Sequence, residues 1–146
     1  SDTRLRYPVS FIGEKREVYL EGEAYFEVSH SDKPFEVHGG GQCVRVLGTS
    51  FNVMAYGDES KVQTTLVSGS VRVVLDQSDK TVLLTPGHQA EMDKNIGKIS
   101  MREVNVENYI GWKDKLFMFD EEDMVTIMWA NETFDPSHPD TFYEEV

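Results

Sequence analysis

The twelve residues Glu17–Val28 constrain the fold more than any other stretch of the chain. Their even positions read Val18, Leu20, Gly22, Ala24, Phe26 and Val28, and their odd positions Glu17, Tyr19, Glu21, Glu23, Tyr25 and Glu27. Strict alternation is the period of a β-strand with one buried and one wet face. A helix, with 3.6 residues per turn, would scatter the same apolar side chains around its axis. At ~3.3 Å per residue the run extends roughly 40 Å, more than a small sheet is usually wide. Gly22, near its middle, is the expected place for a bend or bulge.

Shorter strands of the same style follow. Phe35 and Val37 come after the turn segment 30–34; Val44 and Val46 share one parity, and Phe51, Val53 and Ala55 share the other. The slip falls across Gly48-Thr49, where an extra residue accommodated as a β-bulge keeps both halves facing the core. A second slip, across Ser68-Gly69-Ser70, separates Val62 and Leu66 from Val71, Val73 and Leu75. Further strands are expected at 81–84, 88–92 and 98–106, punctuated by Pro86-Gly87 and by Asn95 to Gly97. Leu20–Val28 is echoed by Val67–Leu75 and, more loosely, by Leu84–Met92, each with a glycine corner before an alternating strand. The fold class that follows is mainly β: a compact antiparallel sandwich- or prism-like body of many short strands with glycine bends, plus one short C-terminal helix. That helix is expected after Asp120 as its cap, with Met124, Ile127 and Met128 on one face. Beyond Asn131, Asp135-Pro136 and His138-Pro139 stop it.

The net charge of −12 is unevenly spread. Residues 1–119 carry 14 basic and 17 acidic side chains, whereas residues 120–146 carry nine acids and no Lys or Arg. A nearly neutral body with an acidic end argues against nucleic-acid binding, which needs positive charge to neutralise phosphates. No apolar run reaches the ~18–20 residues of a membrane span, and no basic stretch leads into an apolar one as in a signal peptide. The chain reads as a soluble domain. Because it opens on Ser1, it also reads as a piece of a longer, anchored protein.

Chemistry is sparse. His30, His38, His88 and His138 do not pair at i+2 or i+4, and no carboxylate completes a zinc spacing around them. The lone Cys43 reads as a buried structural thiol, since a Cys-His nucleophile with His38 also needs an orienting group and an oxyanion site. Gly39-Gly40-Gly41 has no Lys-Ser/Thr after it and opens no helix, so it reads as a hairpin loop and not as a phosphate cradle. Catalytic, cofactor-binding and metal-binding residues are therefore all expected to be none.

Several strings, in order, resemble the FecR family of cell-surface-signalling regulators. They are Leu5-Arg-Tyr-Pro8; Arg16-Glu-Val-Tyr-Leu-Glu-Gly-Glu-Ala-Tyr-Phe-Glu-Val28; Pro34-Phe-Glu-Val37; Val46-Leu-Gly-Thr-Ser-Phe-Asn-Val53; Thr64-Thr-Leu-Val-Ser-Gly-Ser-Val71; and Leu84-Thr-Pro-Gly-His-Gln-Ala90. Trp112-Lys-Asp114 through Phe117 and Phe119 resembles the family's junction to a second module. The resemblance covers roughly residues 4–119 and is mainly a folding signature, with glycines at bends and Phe26, Phe51 and Val53 on the inner face.

The resemblance implies a FecR-type β domain over residues 1–109. Residues 110–146 would be the junction strand and helix of an incomplete C-terminal module. It also implies a periplasmic, signal-receiving part of a single-span anti-sigma factor, without catalysis or cofactor. Its partners would be the N-terminal signalling domain of an outer-membrane TonB-dependent transporter and, through a cytoplasmic region absent from this chain, an extracytoplasmic-function (ECF) sigma factor. Trp112, Phe117 and Phe119 are the expected partner-binding residues. Two other readings stand beside this one: a glycan- or ligand-binding extracytoplasmic β-domain using aromatics such as Tyr19 and Tyr25, and a structural adhesin-like module.

Overall fold

Strand β2 (Arg16–Val28) organises the molecule because it belongs to two sheets at once. In this computed structural model, residues 3–7, 14–111, 118–120, 125–129 and 143–145 are described. The first half of β2 pairs with β1 (Arg4–Tyr7) and, in parallel, with β3 (Phe35–Gly39). Its second half pairs with β5 (Thr49–Ala55) and with β12 (Val125–Trp129). Between the halves sits Gly22, at φ +118°. Only a glycine adopts that conformation cheaply, and it turns the strand from one layer into the other.

The first sheet continues from β3 to β4 (Gln42–Val46), β7 (Val71–Leu75) and β8 (Thr81–Leu84). The second continues from β5 to β6 (Lys61–Gly69), β9 (His88–Asp93) and β10 (Lys98–Glu103). Two further short strands complete the set. β11 (Met118–Asp120) pairs with β12, and β13 (Tyr143–Glu145) pairs in parallel with β1. The only helix among the described residues is α1 (Glu107–Ile110), and none is long and apolar enough to cross a membrane.

The parity slip at Gly48-Thr49 has a different origin from the bulge expected there, whereas the slip before Val71 does contain one. β4 lies in the first sheet and β5 in the second, so the chain crosses between layers at Leu47–Gly48. It crosses back at Ser70, between β6 and β7. The turn between β4 and β5 joins strands of different layers and need not preserve which parity faces inward, which accounts for the first slip without an inserted residue, whereas β2, running unbroken through both layers, keeps one parity inward throughout. The bulge expected near Ser68-Gly69-Ser70 lies inside β6: Ser50 pairs with Ser68 and Phe51 with Leu66, leaving Val67 as the extra residue and changing the inward parity from that of Leu66 to that of Val71.

The core fills the space between the sheets. Phe26 on β2 stacks on Phe51 of β5 at 5.0 Å and 18°, and meets Phe35 of β3 at 5.7 Å and 56°. All three are fully buried, so one aromatic trio ties the second sheet to the first. Gln42 of β4 donates from Nε2 to Thr64 Oγ1 of β6 at 2.9 Å, a buried polar link across the same gap.

The expected helix around Met124, Ile127 and Met128 is corrected by β12. Val125 and Ile127 are buried in the core at a period of two, and the segment lies antiparallel along Ala24–Val28 of β2. The side of β2 away from β5 would otherwise have unpaired backbone groups, and the β-branched Val125, Thr126 and Ile127 suit a strand there. The strand expected at 98–106 stops at Glu103. Val104 N–H bonds the Gly87 carbonyl, and Asn105 Oδ1 accepts the Glu107 N–H to start α1.

Candidate functional site

Strand pairing gathers the chain's few chemically versatile side chains on the outer face of the first sheet. Directly paired residues on neighbouring strands project from the same face. Glu17 is opposite Glu36, Tyr19 opposite His38, and His38 opposite Cys43. One donor atom each from Glu36, His38 and Cys43 lies within 4.8 Å of the others. Lys15 Nζ bridges the two carboxylates, 3.1 Å from Glu17 Oε1 and 3.2 Å from Glu36 Oε1. Arg45 donates from Nη1 to Glu36 Oε2 at 3.2 Å, and Tyr19 from its hydroxyl to Glu17 Oε2 at 3.1 Å.

The electrostatics follow from these contacts. Hydrogen bonds donated to Glu17 and Glu36 hold the Lys15 ammonium above its ordinary range. Partial burial opposes ionisation of Glu17, but the bonds from Lys15 and Tyr19 outweigh it and bring that carboxyl down. Burial, followed by the nearby carboxylates of Glu36 and Asp76, pushes the Cys43 thiol up to about 12. The protein thus holds Cys43 as a protonated thiol at neutral pH, unsuited to nucleophilic attack.

His38 is the anomaly in the group. Its ring stacks on Tyr19 at 5.0 Å and 21°. Nε2 lies 3.3 Å from Glu36 Oε1 and 3.5 Å from Glu17 Oε2, within ion-pair distance. The angles nonetheless make neither contact a hydrogen bond, and the atom is buried without a partner. Beside the cluster opens a cleft of about 520 Å³, lined by Arg4, Arg6, Tyr19, His38, Gly39 and Asp76 among others.

The outer face of the second sheet is built differently. A lateral row of paired residues runs Met128, Tyr25, Asn52, Thr65, Gln89, Arg102 across five adjacent strand pairs. Tyr25, Asn52, Thr65 and Gln89 are all buried. Gln89 Nε2 donates to Thr65 Oγ1 at 2.9 Å, and Gln89 Oε1 accepts from Arg102 Nε and Nη2 at 3.1 and 2.8 Å. Arg102 Nη2 also lies 3.3 Å from the Tyr109 hydroxyl of α1. Tyr25, expected on a wet face as a candidate sugar-stacking platform, is only 2% exposed. Tyr19 remains exposed, but one of its ring faces is taken by His38.

A family model described as FecR protein matches residues 1–72, from before β1 to the start of β7. Two crystal structures of a candidate anti-sigma factor from Parabacteroides distasonis share the fold. The structure at 1.65 Å is 30% identical with a TM-score of 0.71, covering 79% of this chain and 54% of that one. The structure at 2.50 Å is also 30% identical, with a TM-score of 0.69, covering 77% and 53%. The chain belongs to the FecR family.

This FecR-family chain spans about half the length of those solved structures. No curated protein matches it. Of the three aromatics expected at the FecR junction, Trp112 and Phe117 lie outside the described residues. Phe119 falls in β11, its backbone opposite Thr126 of β12. The cluster on the first sheet is assembled across three paired strands, so no ligand spacing along the chain displays it. The signal was nevertheless present: if Gly40-Gly41 closes a tight hairpin, His38 must face Cys43 and Glu36 must share their side.

Proposed function

We propose that this chain is the periplasmic, signal-receiving β domain of an anti-sigma factor. In this reading, the N-terminal signalling domain of an outer-membrane TonB-dependent transporter contacts the domain when cargo is bound. The change crosses a single membrane span, and a cytoplasmic region belonging to the longer protein then frees or activates an ECF sigma factor. The observation that carries the reading is the FecR match together with the two Parabacteroides distasonis structures, both described as a candidate anti-sigma factor. The work is done by binding, without catalysis. Residues 1–109 form the receiving body, β12 completes its second sheet, and the rest of 110–146 begins a following module. Trp112, Phe117 and Phe119 are proposed to dock that module or its partner, as large aromatic side chains supply most contact energy at such surfaces.

A transcriptional reporter tests the reading in cells. Cargo should induce sigma-dependent transcription when the full-length regulator is intact. Removing residues 16–129 from it should abolish the response to cargo, whatever the basal level. Induction that persists at the intact level after this deletion would contradict the role.

A further inference from the structure

We infer that Glu36, His38 and Cys43, with Glu17 as a fourth ligand, form a binding site for a divalent first-row transition metal such as Zn²⁺. The inference stands on the cross-strand geometry and is independent of the partner proposed above. The donor set is one imidazole, one thiol and two carboxylates, the mixture that zinc accepts in four-coordinate sites. Glu36 and His38 are two residues apart on β3, Cys43 faces His38 from β4, and Glu17 faces Glu36 from β2. The backbone positions are therefore held by three paired strands, and only side-chain rotation is needed to converge. His38 Nε2 and Glu36 Oε1, at 3.3 Å, already have the separation of two ligands on one zinc, and the widest gap in the Glu36–His38–Cys43 set is no more than 4.8 Å. Bond lengths of about 2.0–2.3 Å require roughly 3.3–3.8 Å between ligands, so the contraction needed is about 1 Å.

His38 supplies the strongest pointer. A buried imidazole nitrogen facing two carboxylate oxygens without a hydrogen bond is costly. A cation between them gives the unpartnered nitrogen and the two carboxylate oxygens a common partner. At present Lys15 supplies positive charge from the side, bridging both carboxylates with an ammonium whose side chain is 47% exposed. Glu36 is buried but Lys15 is half-exposed, so water competes for its ammonium and a divalent ion can displace it. On binding, the S–H bond of Cys43 breaks, its proton passes to solvent, and the sulfur electron pair forms the metal bond. Thiolate and two carboxylates then face M²⁺, with Arg45 left to offset the extra negative charge.

Cobalt(II) titration of the purified chain under anaerobic conditions reads the site directly. One equivalent should saturate it, giving a thiolate-to-metal charge-transfer band and intensified d–d bands, both removed by added Zn²⁺. Cys43→Ser should abolish the charge-transfer band. Lys15→Met, at an exposed position with little bearing on folding, removes the competing ammonium and should tighten binding by about five- to tenfold. Far-UV circular dichroism establishes that each variant is folded. If neither the wild type nor Lys15→Met develops the band, or if the band survives Cys43→Ser, the site is overturned and the cluster is an ion-pair network alone.

Discussion

Gly22 and Thr3 approach so closely that a Cβ on the glycine would lie 2.5 Å from Thr3 Oγ1 and 2.6 Å from Thr3 Cα. Thr3 is fully buried there, and its hydroxyl both accepts from Glu23 N–H and donates to Glu23 O, at 3.1 and 3.3 Å. The bend that lets β2 serve two sheets is thus clamped by the residue just before β1. Gly22→Ala adds a steric clash to a positive φ, and should cost about 2–4 kcal/mol. Urea unfolding would reveal it as a lowered midpoint. An unchanged midpoint would show that the bend tolerates a side chain.

Phe26 touches aromatic rings on both sheets, so truncating it opens a cavity where the layers meet. Phe26→Ala should lose about 3–5 kcal/mol. Tyr19→Ala, on the same strand but exposed, should lose far less in the same denaturation experiment.

Gln89 satisfies Thr65 on one side and Arg102 on the other. Gln89→Leu strands the buried Thr65 hydroxyl, at a cost of about 1–3 kcal/mol, while the half-exposed Arg102 turns to water. Adding Thr65→Val should recover part of the loss. A double-mutant cycle measures this, and strictly additive losses would contradict the coupling.

Stability should decline at alkaline pH. Burial raises the Tyr25 hydroxyl above its ordinary 10.0, and pushes Cys43 from 9.0 to about 12. Each group therefore binds its proton more tightly in the folded state. Its contribution is complete below the unfolded value and is lost as pH rises through the folded one. Unfolding free energies measured with chelator present should begin to fall above about pH 9. The Tyr25→Phe/Cys43→Ala double variant should show a shallower decline, and an identical slope would refute this source.

Much of the body was readable from the residues because burial imposes a period of two. The alternation of Glu17–Val28 marked β2, and Gly22 marked its bend. The layer crossing at Leu47–Gly48 was visible only as a parity slip, since a slip alone does not distinguish a bulge from a change of sheet. Around β12, Met124, Ile127 and Met128 fit a helical face while Val125 and Ile127 fit a strand. The pairing partner that decides between them, β2, is about a hundred residues away. The Glu36–His38–Cys43 cluster needed a register, which the Gly40-Gly41 turn implied but local spacing along the chain did not display.

The most direct test of the signalling role is a calorimetric titration. The regulator's complete extracytoplasmic region, including this domain and the module after it, would be titrated with the N-terminal signalling domain of its cognate transporter. The account predicts saturable heat with one-to-one stoichiometry. It also predicts that Trp112→Ala weakens binding while leaving the thermal midpoint unchanged. A flat titration with both proteins folded would contradict it.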